Sequence, residues 1–218
     1  MEPCTHGPRS RATRIASPLG LMLMACVLLA TPRPASAQLW NELGDAGQTL
    51  ATAQTTAGNG PLTNILGTIQ TDTDVDLYCI HITNPALFSA TLQCVAINQN
   101  DLWLFAANGL GIEGNDGCST GSVLLSSLFV FSAGTYYLAV SADAADAQSP
   151  GGNIWLSPAV QGPRAPDGPG GGQPLIGWSG ASRANFTSYN IQLSGCGYCD
   201  APVRADGPTW GTIKQLYR

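Results

Sequence analysis

Acidic side chains crowd into one short stretch of the chain, residues 68–82, with the sequence TIQTDTDVDLYCIHI. Asp72, Asp74 and Asp76 alternate there with uncharged residues, and in extended backbone alternate side chains point the same way. Three like charges along one edge repel each other, so they must face water or share a cation. Converging carboxylates supply the oxygen ligands that Ca²⁺ prefers in proteins.

Two interpretations of these aspartates stay open. They can hold Ca²⁺, or they can form a solvated turn that keeps a sheet from pairing edge to edge. The stretch is not an EF-hand loop, because the sixth position counted from Asp72 is Leu77 and the twelfth is Thr83, where that loop needs Gly and Glu.

The segments that must position the aspartates have the pattern of a β-protein. Short runs rich in β-branched and aromatic residues recur roughly every ten residues along the chain. Turn signals such as Asn84-Pro85 and Asn108-Gly109 separate these runs, and almost no helical periodicity is present. The sequence therefore predicts an all-β fold, an antiparallel sandwich or jelly roll.

The direction of the strands predicts where polar groups meet. If successive strands alternate in direction, the strand that starts at Val75 and the strand that starts at Asp101 begin at the same end of the sandwich. The predicted rim then holds Asp72, Asp74, Asp76, Asp101, Asn115 and Asp116.

The first 37 residues have the pattern of a secretory signal peptide. Arginines precede an apolar run at residues 19–30, and Ala35-Ser36-Ala37 follows as a cleavage triplet. Removing this leader takes four of the nine basic residues and one of the fourteen acidic ones, which leaves a net charge of about −8. We expect a secreted protein, extracellular, periplasmic or on the cell surface, that has no membrane span and binds no nucleic acid.

Five cysteines follow the leader, and an oxidising compartment predicts disulfides between them. Strand direction places Cys94 and Cys118 at one end, so we predict that they pair. For the C-x-x-C of Cys196 and Cys199 we favour a local disulfide over a redox or zinc site, which would need a βαβ context or more histidines. Cys79 is then the predicted free, buried thiol.

A set of short motifs follows one order along residues 41–195. They are Glu42, Gly44-Asp45-Ala46-Gly47, Ala53-Gln54, Ile69, Asp74-Val75-Asp76-Leu77-Tyr78, Phe88-Ser89-Ala90, Leu102-Trp103-Leu104-Phe105, Asn108-Gly109, Asn115-Asp116, Gly134-Thr135-Tyr136-Tyr137-Leu138-Ala139-Val140 and Tyr189-Asn190-Ile191-Gln192-Leu193. In order and spacing these motifs resemble the bacterial pre-peptidase C-terminal domain, which is similar to the collagen-binding modules of bacterial collagenases.

The resemblance implies a β-sandwich of jelly-roll type that is non-catalytic and usually appended to a secreted peptidase. It also implies a calcium site where the N-terminal segment meets the sheet. The ligands that it implies are Glu42, Asp45, Asp72, Asp74 and Asp76. No peptidase precedes the domain in this sequence, so we do not expect the usual role as an accessory to a protease in the same chain.

Catalysis is not expected from the sequence. His81 is the only histidine after the leader, and Cys79 and His81 stand two apart on a predicted strand, where side chains run parallel rather than converge. We expect a bacterial binding module for an extracellular protein or polysaccharide, with calcium stiffening its rim. The alternatives are a structural or envelope-associated protein without a specific ligand, and a carboxylate-dependent hydrolase.

The predicted organisation is a signal peptide at 1–37, the sandwich at 38–195 and a tail at 196–218. The end of the tail, residues 207–218, places Trp210, Ile213 and Tyr217 near helical spacing. Docking on the sandwich and a frayed terminus both remain open for it.

Overall fold

The computed structural model describes residues 38–93, 100–117, 121–142, 145–157, 162–180 and 187–200. All of them belong to one compact unit, Ala35–Arg218. The predicted leader, the predicted Cys94–Cys118 disulfide and residues 201–218 lie outside the described residues.

Strands account for most of the described chain. They are β1 Gln38–Asn41, β2 Gln54–Thr55, β3 Leu62–Ile69, β4 Val75–Ile82, β5 Ser89–Gln93, β6 Asn100–Ala106, β7 Gly111–Asn115, β8 Ser122–Leu125, β9 Gly134–Ala142, β10 Asp146–Ser149, β11 Gly152–Asn153, β12 Gly177–Ser179, β13 Thr187–Ser194 and β14 Cys196–Tyr198. Within these ranges the only helical turns are two short 3-10 turns, Pro85–Leu87 and Ser127–Phe129. None of the described helices is long and apolar enough to cross a membrane.

Two sheets pack face to face, which confirms the predicted all-β sandwich. The first has the strand order β1-β3-β13-β5-β8, and the second has the order β14-β4-β9-β6-β7. Most neighbouring strands are antiparallel, although β1 pairs with β3, and β2 with β4, in parallel. The space between the sheets is filled by alternate residues, such as Tyr78, Ile80 and Ile82 of β4 and Ile191 of β13.

The second sheet is buried on its other face as well. Val75 and Leu77 of β4 point away from the first sheet, into a cluster that contains Trp103 and Trp155. The rings of these two tryptophans lie 5.0 Å apart, centroid to centroid. The cover comes from residues 145–157 and 162–179, which include the small sheet β11-β10-β12. Burial on both faces explains why β4 is apolar almost throughout instead of alternating.

The strand register supports the predicted rim in part. Asp76 of β4 is paired with Val140 of β9. Val140 is also paired with Leu102 of β6, and Leu102 is paired in turn with Asn115 of β7. Asp101 is the residue before Leu102 in β6. These polar residues therefore occupy the same end of the second sheet.

The predicted pairing of Cys196 with Cys199 is wrong, because Cys199 forms a disulfide with Cys79. Strand geometry gives the reason. Cys196 and Tyr198 face the core between the sheets, and a residue three positions after Cys196 in an extended strand faces the opposite way. The pairing of Tyr198 with Ile80 brings Cys199 beside Cys79, with 5.5 Å between their Cα atoms.

Cys196 is therefore the free and buried thiol of the described residues, rather than Cys79. Burial raises the pKa of the Cys196 thiol to about 12, which keeps it protonated. The sandwich also continues past Gly195, where the sequence predicted its end. Strand β14 pairs with β4, and Asp200 donates its backbone N–H to the carbonyl oxygen of Thr56.

Candidate metal site

Glu42 connects the N-terminal segment to the first sheet. It follows β1, and its backbone N–H donates to the carbonyl oxygen of Leu66 in β3 at 2.8 Å. Its carboxylate accepts two further backbone hydrogen bonds, from Ala46 at 3.1 Å and from Thr68 at 2.8 Å. These bonds hold the loop that carries Asp45 against strand β3.

Asp76, in β4, is completely buried, with 0% of its surface exposed. One carboxylate oxygen, Oδ2, accepts a hydrogen bond from the Tyr189 hydroxyl at 2.6 Å. The Tyr189 hydroxyl is in turn hydrogen-bonded to the hydroxyl of Tyr78. The other oxygen, Oδ1, is buried and has no hydrogen-bond partner in the part of the chain that the structure describes. Buried polar atoms are nearly always paired, because an unpaired one costs about 1–3 kcal/mol and a charged one more.

Three carboxylates converge at this point. Glu42, Asp45 and Asp76 each offer an oxygen, and these atoms lie within 4.8 Å of one another. Asp45 is exposed, Glu42 is half-buried and Asp76 is buried, so the group leads from solvent into the sandwich. Several carboxylates from separate segments, with room for water, suit the oxygen-rich and flexible coordination of Ca²⁺.

Asp74 and Asp72, the other two predicted ligands, are not part of this converging group. Asp74 is buried, and its Oδ2 accepts a hydrogen bond from the backbone N–H of Gln70, which closes the turn before β4. Asp72 is half-buried within that turn. The structure therefore brings together three of the five predicted ligands and gives Asp74 a structural role.

The electrostatics of the site follow from burial. Burial raises the pKa of Asp76 to about 8, and the charges of Glu42 and Asp74 push it in the same direction. Burial also raises the pKa of Glu42 above its usual range. Without a metal, Asp76 therefore holds a proton near neutral pH, and a divalent cation that binds there has to displace it.

Gly67 makes the close packing of this site possible. A Cβ atom at this position of β3 would lie 2.2 Å from the Tyr189 hydroxyl oxygen and 2.8 Å from Oε2 of Glu42. Sequence reasoning missed Gly67 and the role of the Tyr189 hydroxyl. A glycine inside a strand pattern, which often marks a close approach, was the available signal.

An open cavity of about 690 Å³ lies beside the site. Glu42 and Tyr189 form part of its wall, so the cavity adjoins the site on the side of Glu42. Apart from Glu42, the wall is uncharged and includes Asn41, Gln70 and Ser188. The cavity therefore presents amide and hydroxyl groups next to a concentrated negative charge.

Two of the other predicted rim residues, Asp101 and Asn115, close loops instead of joining the site. Asp101 accepts a hydrogen bond from the backbone N–H of Gly117 at 3.2 Å. The Asn115 side chain donates to the carbonyl oxygen of Leu124 at 2.8 Å and accepts from the backbone N–H of Gly162 at 3.0 Å. Shared position at one end of the sheet therefore does not make them ligands.

The Cys79/His81 pair, which the sequence disfavoured as a catalytic dyad, is excluded by the disulfide. The Cys79 sulfur is bonded to Cys199 and is not available as a nucleophile. No family model matches the sequence, and no curated protein matches it either.

Proposed function

We propose that the protein is a secreted, non-catalytic binding module whose N-terminal segment is fastened to its sandwich by a Ca²⁺ ion. The observation that carries this proposal is the buried Oδ1 atom of Asp76, which has no hydrogen-bond partner among the described residues and belongs to a carboxylate that converges with those of Glu42 and Asp45. A bound cation supplies the positively charged partner that a buried, unpaired carboxylate oxygen lacks.

The three carboxylates of Glu42, Asp45 and Asp76 are the proposed protein ligands, and waters complete the shell. Asp72 and Asp74 add negative charge from the neighbouring turn. The ion would neutralise groups that otherwise repel, and it would tie the loop at residues 42–46 to β4. Its expected effect is structural, since it stiffens the wall of the adjoining cavity.

The ligand of the proposed module is an extracellular protein or polysaccharide held at the cavity beside the calcium site. The uncharged amide and hydroxyl groups of the wall favour a ligand that forms hydrogen bonds rather than a polyanion. In this proposal the chain is a pre-peptidase C-terminal-like domain, and the leader and the Cys79–Cys199 disulfide both suit an oxidising compartment.

Thermal unfolding of the mature chain with a chelator and with millimolar Ca²⁺ tests the metal site. Binding to the folded state raises stability by mass action, by about 2.7 kcal/mol at a hundred times the dissociation constant. We expect a higher midpoint with Ca²⁺ and a smaller shift with Mg²⁺, which demands a more rigid octahedral site. An unchanged midpoint at millimolar Ca²⁺ would contradict the proposal.

An array of neutral polysaccharides and extracellular matrix proteins tests the binding role. We expect retention of at least one of them, and we expect it to weaken when a chelator removes the ion. If Ca²⁺ stabilises the chain and no ligand is retained, the structural or envelope-associated alternative takes the place of the binding module.

A further inference from the structure

Three large apolar side chains protrude at the end of the sandwich where β4 finishes and β9 begins. Leu87 and Leu128, each 63% exposed, stand on the two 3-10 turns, which contact each other. Phe131, 87% exposed, follows directly and lines a cavity of about 450 Å³ together with Phe129. We call Leu87, Leu128 and Phe131 the apolar end.

The segments around the apolar end carry no charge. Residues 83–88, 106–112 and 126–135 contain no Asp, Glu, Lys or Arg, although the chain after the leader has a net charge of about −8. A solvated surface usually carries charged side chains, whereas this one carries protruding leucine and phenylalanine side chains and no charge. They are typical of a surface that another apolar group covers.

The size of the apolar end limits what can cover it. Its three side chains expose on the order of 400 Å², since one large aromatic side chain accounts for roughly 150–250 Å². A stable complex needs about 800 Å² from each partner, so this patch is too small to hold a second copy by itself. A segment of the same chain avoids most of the entropic cost of association and can use a smaller patch.

The segment at residues 207–218 has matching chemistry. It offers three large apolar side chains, Trp210, Ile213 and Tyr217, spaced to share one face of a helical turn. Its only charged residues are Lys214 and Arg218, whereas residues 38–206 contain three basic and thirteen acidic residues. A positively charged segment is attracted to the negatively charged remainder of the chain.

The segment can also reach the apolar end. The described chain leaves the sheet at Asp200, next to β4, and β4 in turn pairs with the first residues of β9. Standard strand spacings put Asp200 roughly 15–20 Å from the start of β9. Trp210 follows ten residues after Asp200, and an extended chain of that length spans roughly 30 Å.

We propose that residues 207–218 fold back and cover the apolar end, with Trp210, Ile213 and Tyr217 packed on Leu87, Leu128 and Phe131. The segment then serves as an internal cap for the sandwich. This cap is independent of the calcium site, which lies at the opposite end of β4.

Fluorescence of Trp210 in the mature chain tests the cap. The difference between the spectra of the unchanged chain and a Trp210→Phe variant isolates the emission of Trp210 from that of the other tryptophans. We expect blue-shifted emission that is protected from a soluble quencher. The same difference measured in a Phe131→Ser background should move to the red and lose its protection.

The matched control is Leu43→Ser, since Leu43 is an equally apolar side chain, 67% exposed, that lies next to Glu42 and away from the apolar end. It should leave the Trp210 emission unchanged. Exposed Trp210 emission in the unchanged chain, or emission that does not respond to Phe131→Ser, overturns the proposal. A dimer that Phe131→Ser dissociates while Trp210 stays exposed would instead identify a second copy as the cover, and vesicle binding with the same dependence would identify lipid.

Discussion

Two buried carboxylates in this protein have opposite surroundings. Asp76 and Glu113 are both 0% exposed, and burial raises the pKa of both. Glu113 accepts hydrogen bonds at both oxygens from the backbone N–H of Ser126 and a third from the Ser126 hydroxyl. Asp76 accepts one from Tyr189, and its second oxygen has no partner among the residues that the structure describes.

The difference distinguishes Glu113, a buried carboxylate with a structural role, from Asp76, a buried carboxylate that we assign to a proposed binding site. Glu113 lies in β7, and its bonds fix the start of the 3-10 turn at Ser127–Phe129, so the protein supplies everything that this carboxylate needs. Asp76 lies instead among other carboxylates, which offer a donor only when one of them carries a proton, as in a hydrogen bond between Asp76 and Glu42. A fold tolerates such a cost when something outside the chain offsets it, and the proposed Ca²⁺ ion would do so here.

The largest expected contrast comes from neutralising each carboxylate in turn. Asp76→Asn should abolish the rise in unfolding midpoint that Ca²⁺ produces. In chelator the same variant should be as stable as the unchanged chain or more stable, because the amide is neutral and, unlike the Asp76 carboxylate, does not have to take up a proton to be buried. Glu113→Gln should lose about 1–3 kcal/mol of stability and keep its full response to Ca²⁺.

Thermal unfolding of both variants, with and without Ca²⁺, checks this contrast. A full calcium response in Asp76→Asn, or its loss in Glu113→Gln, would remove the distinction between the two sites.

Adding one methyl group at Gly67 should disturb the site next most strongly. The new Cβ would collide with the Tyr189 hydroxyl and with Glu42, so Gly67→Ala should cost about 1–3 kcal/mol and weaken the calcium response. Gly177→Ala is the matched control, because a Cβ there meets nothing within 4 Å and should change stability by less than about 0.5 kcal/mol. Equal effects of the two substitutions on the calcium response would show that Gly67 has no special role.

The pH dependence of the chelated protein provides a third test. The pKa of Asp76 is about 8 in the folded chain and about 4 in an unfolded one, so between these values the folded state binds the extra proton. The free energy of unfolding should therefore fall as pH rises from about 4 to about 8. Asp76→Asn should flatten the upper part of this fall, Glu113→Gln should retain it, and denaturant titrations at a series of pH values measure both.

Removing a single donor from each carboxylate should have the smallest effects. Ser126→Ala removes the hydroxyl donor of Glu113 but leaves the backbone N–H, so we expect a loss of about 0.5–1.5 kcal/mol and no change in Ca²⁺ affinity. Tyr189→Phe removes the hydroxyl donor to Asp76, so we expect a similar loss of stability together with weaker Ca²⁺ binding. Isothermal titration of both variants distinguishes these outcomes, and unchanged affinity in Tyr189→Phe would count against Asp76 as a ligand.

The sequence predicted the sandwich because strand periodicity and turn residues are local signals. It also placed Asp76 at the end of a strand, and the resemblance added Glu42 and Asp45 as companions. It did not separate Asp74 from Asp76, since both fit one alternating pattern. The strand starts only at Val75, and before it the Asp74 carboxylate caps a turn by accepting from Gln70.

The missed features depend on contacts between distant parts of the chain. Cys79 and Cys199 are 120 positions apart, and only the pairing of β14 with β4 brings them together. The cover on the outer face of the second sheet depends in the same way on how residues 145–157 and 162–179 fold back, with the Trp178 indole N–H donating to the carbonyl oxygen of Gln48. Neither arrangement leaves a periodic signal in the sequence.

Calorimetric titration of Ca²⁺ into the chelator-stripped mature chain tests the central claim most directly. We predict one ion bound per chain in the unchanged protein and in Glu113→Gln, and no binding heat in Asp76→Asn. The absence of binding in the unchanged protein, or equal binding in Asp76→Asn, would contradict the assignment of Asp76, Glu42 and Asp45 as a calcium site.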